Sequence, residues 1–348
     1  MNTKLLRTLS LAALGLSLVA CGATPTSSSQ APAEPKTVVA DTSSNAESKS
    51  KKELLDAYGM KNNPGCEMEW YEQAENFEHW TIGKTIAQVR DYAYGPGHQV
   101  GVDVIEEGVG VTINMGNFTG ALKSLNRVKT FTTSDAPVAG AGIALHNVEN
   151  NVFTVKVAGA ATSNSTKTIL ESAVNSYQIP LTTGAEDAIS IDTTVKQAKN
   201  ETIASKAPNS VTQVVSKYEL GELYGMKGTS ASKGVIDGGA EWFEQAEAYE
   251  AYTEGKLASE ISGEKNVATG CTMNVDGFAK VVQEAAGTNV SKEVGTASAN
   301  ATYTLSVGSY VSFSTQIEVS ICAVVTDSNN KIVSAYFDVL QQKVKIAE

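Results

Sequence analysis

Two pairs of glutamates have a spacing that could support metal binding or acid–base chemistry. Glu69 and Glu72 are separated by the same interval as Glu241 and Glu244 further along the chain. Residues three apart lie on one face of a helix, where two carboxylates can hold a cation or transfer a proton. A solvated helix face is the commoner meaning of this pattern, and we expect all four side chains to be solvated.

The triplet Gly83-Lys84-Thr85 resembles the end of a phosphate-binding loop. The complete motif requires another glycine five residues before Gly83, so that main-chain amides can surround a phosphate. The chain has Glu78 there, whose charge would repel phosphate, and the later Gly255-Lys256-Leu257 lacks the hydroxyl that binds magnesium. The two triplets therefore predict helix ends and no nucleotide site.

The three histidines form no recognisable catalytic or metal-binding pattern. His79, His98 and His146 have no cysteine, histidine or carboxylate at metal-ligand spacing. They also lack an accompanying Gly-x-Ser-x-Gly nucleophile motif. We therefore expect no catalytic residue, no metal and no enzymatic activity.

The cysteines leave a disulfide open. Besides Cys21, the chain contains Cys66, Cys271 and Cys322. Cys271 and Cys322 could pair outside the cytoplasm, although a sequence does not give the distance between them. Three separate thiols are an equal alternative.

Two tryptophans begin similar aromatic segments. Trp70 and Trp242 each start a run of apolar residues at helical spacing, which predicts a buried position. Tyr71 and Phe243 follow them directly and must point in another direction. These two side chains are our candidate ligand-binding residues, on the surface or in a groove between domains.

The elements that carry these residues can be read from the periodicity. The spacing predicts a helix over 70–81 with Glu72, Glu75 and Glu78 on its solvent side. The buried side of this helix consists of Trp70, Ala74, Phe77 and Thr81. After the stop at Gly83, a threonine can cap a short helix that continues through Val89.

Further helices are predicted over 117–125 and 276–285, each after a strand-like stretch, 109–113 and 271–275. The period then changes to that of strands, with a turn at Asp327-Ser328-Asn329-Asn330. The predicted strands are 151–157, 168–174, 188–194, 303–307, 316–325 and 331–339. Short turns between neighbouring strands favour antiparallel meanders, and the helices should cover one face of each.

The chain also repeats itself. Glu53–Lys61 returns in degenerate form as Glu219–Lys227, and Glu69–Glu75 returns as Glu241–Glu247. The ordered matches indicate a duplication. We therefore predict an α+β protein of two tandem homologous units, 51–207 and 208–348. Each unit should consist of N-terminal helices packed on an antiparallel β-meander.

The N-terminus has the features of an export signal. Lys4 and Arg7 precede the apolar run Leu9–Val19, which is shorter than the roughly 20 residues of a membrane span. The run ends in Leu18-Val19-Ala20-Cys21, which matches a lipobox. This predicts a signal peptide over 1–20 and a diacylglyceryl group on Cys21.

The residues that follow predict a tether. The segment 21–50 is rich in Ser, Thr, Ala and Pro and has too few apolar side chains to form a core. We expect it to join the lipid at the extracytoplasmic face of the cell membrane to the folded body. The net charge of -11 argues against nucleic-acid binding, so the lipid is the predicted membrane contact.

The motifs Tyr58-Gly59-Met60-Lys61 and Glu69-Trp70-Tyr71-Glu72-Gln73-Ala74-Glu75 resemble those of repeat-containing surface lipoproteins of Gram-positive and related bacteria. Some relatives in that group are associated with flavin-binding extracytoplasmic proteins. The resemblance implies a surface lipoprotein with the predicted architecture. The covalent flavin motif, of the form Asp-Gly-x-Ser/Thr-Gly-Ala-Thr, is absent, and Asp237-Gly238-Gly239-Ala240 shares only its opening.

Three functions remain open at this point. We expect a non-enzymatic binding protein for a small molecule or an envelope partner, with no cofactor. A flavin-binding or electron-transfer accessory protein is the first alternative. A purely structural envelope lipoprotein is the second.

Overall fold

The protein has an α+β fold with two antiparallel sheets, each covered on one side by helices. The computed structural model describes residues 34–43, 48–64, 66–92, 111–198, 214–229, 236–296, 298 and 300–347. Pro35–Glu348 forms one compact unit. The predicted signal peptide and Cys21 lie outside the described residues, as does His98.

The described α-helices are α1 (Lys51–Leu54), α2 (Trp70–Thr81), α3 (Ile86–Arg90), α4 (Gly116–Lys123), α5 (Lys217–Leu220), α6 (Trp242–Thr253) and α7 (Asp276–Ala286). Short 3-10 helices follow α1 and α5, at Leu55–Tyr58 and Gly221–Tyr224. Three more 3-10 helices lie at Met60–Asn62, Ala185–Asp187 and Ala258–Glu260. Among the described residues, no helix is both long enough and apolar enough to cross a membrane.

The described strands are β1 (Val38–Ala40), β2 (Leu125–Thr133), β3 (Pro137–Glu149), β4 (Val152–Ser163), β5 (Ile169–Thr183), β6 (Ile189–Ile191), β7 (Ala301–Phe313), β8 (Gln316–Thr326) and β9 (Ile332–Ile346). One sheet has five strands in the order β1-β9-β8-β7-β2, and the other has four in the order β3-β4-β5-β6. All neighbours are antiparallel, and the predicted meanders, β4-β5-β6 and β7-β8-β9, are confirmed.

Local sequence explains where the helices begin and end. Ser50 and Thr85 accept hydrogen bonds from main-chain N–H groups in the first turns of α1 and α3, which satisfies donors that a helix start leaves free. Gly83 and Gly255 follow α2 and α6 with φ of +79° and +74°, a conformation that glycine adopts without strain. The predicted helix ends and the cap at Thr85 are therefore confirmed.

The buried side chains form four packed layers in the order helix, sheet, sheet, helix. Apolar residues of both sheets, such as Phe153 and Ile321, meet in a central core. On the outer face of the four-stranded sheet, α6 and α7 pack through Trp242 and Phe278. On the outer face of the five-stranded sheet, α2 and α4 pack against β8 and β9. Each sheet therefore buries both of its faces.

The helices cover the sheets in a crossed arrangement. Phe77 of α2 contacts Phe337 of β9, with ring centroids 5.1 Å apart. Conversely, α6 packs on β5, and α7 packs on β3 and β4. We expected each helical segment to cover the meander that follows it in the chain, so this part of the expectation is wrong. Periodicity identifies the buried face of a helix but not the sheet that it meets.

Two further expectations differ from the structure. Residues 111–113 and 271–275 are not strands. The side chain of Gln73 accepts hydrogen bonds from the N–H groups of Thr112 and Ile113, at 2.7 and 3.1 Å, and Gln245 does the same in the later segment. The extended stretches are thus held by a glutamine side chain and not by a neighbouring strand. Strands β1, β2 and β3 lie in stretches where we predicted none. β1 lies within the predicted tether 21–50, where it pairs with β9 and buries Val38, so the described end of that segment belongs to the folded body.

Candidate functional site

Glu78, expected on the solvent side of α2, is 2% exposed. It receives the Lys52 ammonium at 2.6 Å and the Phe337 main-chain N–H at 2.7 Å. Burial raises the pKa of Glu78 to about 7, although both contacts favour its charged form. The carboxylate joins α1, α2 and β9 and has no open side for a substrate, so we assign it a structural role.

Glu250 occupies the matching position in α6 and is also buried. It accepts from Arg127 at 2.6 Å and from the Val174 N–H at 2.8 Å, and Lys129 lies 2.9 Å away. Burial raises the pKa of Glu250 as well. One main-chain N–H and at least one buried cation thus hold each carboxylate, and both glutamates fasten a helix to a sheet.

Glu69 and Glu241 were expected to be solvated, but both are buried. Glu69 accepts from the N–H of Met60 at 2.7 Å, and Glu241 accepts from the N–H of Met226 at 2.8 Å. The second member of each pair, Glu72 or Glu244, reaches back to the main-chain N–H of the first in a capping box. The i, i+3 spacing therefore forms the N-terminal caps of α2 and α6. Glu69 and Glu241 are buried because they accept hydrogen bonds from main-chain N–H groups.

The predicted ligand-binding pair is placed at two separate locations. Tyr71 is half-buried and lines a cavity of about 410 Å³ together with Leu55 and Lys292, and its hydroxyl donates to Asp56 at 3.4 Å. Phe243 is half-buried, and its ring packs edge-on against Tyr218 at 6.2 Å. Phe243 does not line the cavity that Tyr71 lines, so the two side chains belong to different places.

A different cavity is our candidate functional site. It has a volume of about 430 Å³ and lies where α1, α2 and α4 meet β8 and β9. Its lining residues are Lys51, Tyr58, Met60, Asn63, Trp70, Thr112, Ile113, Asn114, Asn117, Phe118, Glu318, Val339 and Gln341. We call it the Lys51–Glu318 cavity, after the two charged side chains that line it.

Lys51 lies against aromatic rings. Its Nζ atom is 5.1 Å from the ring centroids of both Tyr58 and Trp70, which stabilises a cation. Burial lowers the pKa of Lys51 to about 8, with Glu318 opposing the shift. No carboxylate lies within 4.0 Å of its ammonium among the described residues. The Lys51 ammonium is therefore protonated at neutral pH and without an ion-pair partner in the described part of the chain.

Glu318 is held by amide groups. The side-chain nitrogens of Asn117 and Gln316 donate to it at 2.8 and 2.9 Å, and Gln341 donates as well. Burial would raise the pKa of Glu318, but these donors and the nearby Lys51 together hold it below its usual value. The carboxylate is thus ionised, and like Lys51 it has no ion pair within 4.0 Å in the described chain.

The strand beneath this cavity carries one unsatisfied polar group. Ser320 lies two residues after Glu318 and so faces the same side of β8. Its buried hydroxyl has no hydrogen-bond partner within the described residues. Buried hydroxyls usually find a partner, so this atom adds to the polar character of the strand face that also carries Glu318.

The corresponding place on the four-stranded sheet is filled. Gln178 follows Val174 by four residues, and Gln341 follows Phe337 by four residues, so the two glutamines are equivalent. The strand partner of Gln178 is Thr154, whereas the strand partner of Gln341 is Glu318. Two residues further along that strand, Lys156 Nζ lies 4.3 Å from the Phe278 ring centroid and 3.4 Å from the Asn274 carbonyl oxygen. A Cβ on Gly277 would be 2.8 Å from Lys156 Cδ, so the lysine occupies the space that the Asn117 side chain takes in the other layer.

Comparison with known proteins adds no relative: no family model, no curated protein and no solved structure matches the chain. The candidate site therefore stands on its own geometry. Sequence inspection missed it because Lys51 and Glu318 come from opposite ends of the chain. The one signal was the repeated Tyr-Gly-Met motif, whose Tyr58 and Met60 line the cavity.

Proposed function

We propose that this protein is a lipid-tethered, extracytoplasmic, non-enzymatic binding protein whose small ligand occupies the Lys51–Glu318 cavity. The observation that carries the proposal is the convergence of two unpaired opposite charges in one aromatic and amide-lined cavity. Ligand sites typically combine apolar walls with a few well-placed polar groups and perturbed pKa values. The lipobox at Leu18–Cys21 and the tether that follows it support the location.

The proposal includes a duplicated architecture of two homologous units, 51–207 and 208–348. Support comes from equivalent contacts in the two units. Glu78 and Glu250 each accept a hydrogen bond from a strand N–H group, and Glu69 and Glu241 each accept one from a methionine N–H group. In this view the two units exchanged their helical segments, and only one of the two equivalent positions kept an open cavity. The other position was closed by Lys156.

The location can be tested by replacing the lipidated residue. A Cys21→Ser protein should be released from the membrane fraction in folded form, because the lipid is its only proposed attachment. Wild-type protein is the control, and both are extracted with high salt. Retention of the Cys21→Ser protein in the membrane under these conditions would contradict the anchoring proposal.

The binding site can be tested by filling the cavity. A library of small metabolites is screened for compounds that raise the unfolding temperature, since a ligand that binds only the folded state stabilises it. Asn117→Phe should abolish the effect of every true ligand, because the larger ring takes up the space between α4 and Glu318. Tyr71→Ala and Phe243→Ala serve as matched controls and should leave it unchanged.

Three results would contradict this function. A ligand that stabilises the Asn117→Phe protein as well as wild type binds elsewhere, and loss of its effect in the Tyr71→Ala protein would move the site to the neighbouring 410 Å³ cavity. An absorption spectrum of natively purified protein tests the flavin alternative. Bands of a bound flavin would replace our proposal with a cofactor-binding protein.

A further inference from the structure

We propose that the ligand of the Lys51–Glu318 cavity is a small zwitterion of the amino-acid class, whose carboxylate binds Lys51 and whose ammonium binds Glu318. This inference rests on the proposed binding function and adds the chemical class of the ligand. It follows from the state of the two charges, from the donors around them and from the contrast with the four-stranded sheet.

The first argument concerns charge balance. Lys51 and Glu318 line the same cavity, and neither has an oppositely charged atom within 4.0 Å in the described chain. An ionised group that is partly removed from water gains most from a counter-ion in direct contact. A ligand with a single charge would satisfy one group and leave the other. A zwitterion supplies both counter-ions and leaves the net charge of the cavity unchanged.

The second argument concerns the hydrogen-bonding groups. The Lys51 ammonium has three N–H donors and contacts only the π-faces of Tyr58 and Trp70 in the described structure. A ligand carboxylate can accept these donors while the rings keep water away. Glu318 is held in place by Asn117, Gln316 and Gln341, so its remaining lone pairs point in a fixed direction. Such a preorganised carboxylate suits a ligand N–H donor.

The third argument concerns the lining and its size. A cavity of about 430 Å³ is at the small end of ligand sites, roughly 300–1,000 Å³. Trp70 and Phe118 are almost fully buried and offer little open ring surface for stacking a flat cofactor. Met60, Ile113 and Val339 leave an apolar wall for one side chain of the ligand.

The fourth argument comes from the matching place on the other sheet. There the residue equivalent to Glu318 is Thr154, which is uncharged, and Lys156 fills the space beside Gly277. The four-stranded sheet thus has no equivalent of the Lys51–Glu318 pair, and Lys156 lies 3.7 Å from Asp276 instead. We expect one ligand per chain.

The test uses the full-length protein with each common α-amino acid and measures affinity by calorimetry and unfolding temperature. A binding amino acid is then compared with its carboxamide, which lacks the carboxylate charge, and with its N-acetyl derivative, which lacks the ammonium. Each derivative should bind wild type about 10–100-fold more weakly, as expected for the loss of a hydrogen bond between charged groups.

Two variants assign each charge to its partner. The Lys51→Met protein should bind the amino acid more weakly than wild type does, but should bind the carboxamide about as well as wild type. The Glu318→Gln protein should also bind the amino acid more weakly, but should bind the N-acetyl derivative about as well as wild type. Lys217→Met is the matched control, because Lys217 lies 4.9 Å from the Tyr224 ring in the equivalent place but outside this cavity. It should leave all affinities unchanged. Urea unfolding of each variant checks that the fold is intact.

The outcomes separate this inference from the binding function. If no amino acid binds but a neutral disaccharide such as maltose does, and Asn117→Phe abolishes that binding, the zwitterion inference is wrong and the binding function stands. Amino-acid binding that Lys51→Met and Glu318→Gln leave unchanged also overturns the inference. If the metabolite library contains no compound whose effect Asn117→Phe removes, both proposals fail.

Discussion

Leu55 has a backbone conformation that favours glycine, and glycine is the residue at the matching position after α5. Its φ and ψ are 48° and -129°, and Gly221, at the matching place after α5, has 52° and -126°. A non-glycine residue in this region is strained by about 1–3 kcal/mol. The Leu55 side chain is 53% exposed, so its packing offsets little of that strain.

Exchanging alanine and glycine at both positions measures the strain without a change in packing. An alanine Cβ at Gly221 would meet no atom within 4 Å, so Gly221→Ala adds strain alone. Alanine also lowers the entropy of the unfolded chain, which returns about 0.4–1 kcal/mol. We expect Gly221→Ala to destabilise the protein by about 1–2 kcal/mol, and Leu55→Ala to be less stable than Leu55→Gly by a similar amount.

Urea unfolding followed by tryptophan fluorescence measures these differences as shifts in midpoint at constant slope. Gly228→Ala is the control, because Gly228 has open space around it and no positive φ. It should be neutral or slightly stabilising. If Gly221→Ala behaves like Gly228→Ala, and Leu55→Ala is as stable as Leu55→Gly, the strain argument is refuted.

Three further outcomes are expected. Trp70→Ala and Trp242→Ala should each lower the free energy of unfolding by about 3–5 kcal/mol, because both indoles are buried, at 5% and 3% exposure; melting within a degree or two of wild type would place them at the surface. Burial raises the pKa of Glu284 to about 7 from 4.5, so its proton is lost more easily from the unfolded chain, and stability should fall as pH rises from about 4.5 to 7. Glu284→Gln should flatten that fall in urea titrations, and an unchanged pH profile would contradict the assignment. Burial raises the pKa of the Cys322 thiol to about 12, so a thiol reagent should label Cys322 only after unfolding, whereas the half-buried Cys66 should react in the native protein; early labelling of Cys322 would show that the sheet opens.

The local features of the fold could be predicted because short-range sequence determines them. Trp70 and Trp242 are buried as their helical spacing predicted, and Gly83 and Thr85 end one helix and begin the next. The turn after Asp327 also lies between two strands as expected. Each of these depends on residues within a few positions of one another.

Long-range features escaped prediction for the opposite reason. The burial of Glu78 depends on Lys52 and on the Phe337 N–H, which is 259 positions away. A glutamate among other glutamates gives no local sign of such a partner. Glu318 is a similar case. Its position in a β-strand indicated which face of the sheet it occupies, but did not indicate that Lys51 would line the same cavity.

The cysteines illustrate an intermediate case. The sequence left open a bond between Cys271 and Cys322, and both are free thiols in the structure. Cys271 lies in the core between the helices and the four-stranded sheet, whereas Cys322, on β8, lies in the core between the helices and the five-stranded sheet. Spacing alone could not assign them to different layers.

The crossed helices determine when the chain can fold. The sheet that α2 covers is completed by β9, the last strand of the described chain. A nascent polypeptide that has not reached this strand leaves the apolar side of α2 without a surface to cover, and contacts between distant residues form slowly. The contact between α2 and the five-stranded sheet can therefore form only after β9 has been made. A chain in which these segments are still unpacked is in the unfolded state that the proposed export across a membrane requires.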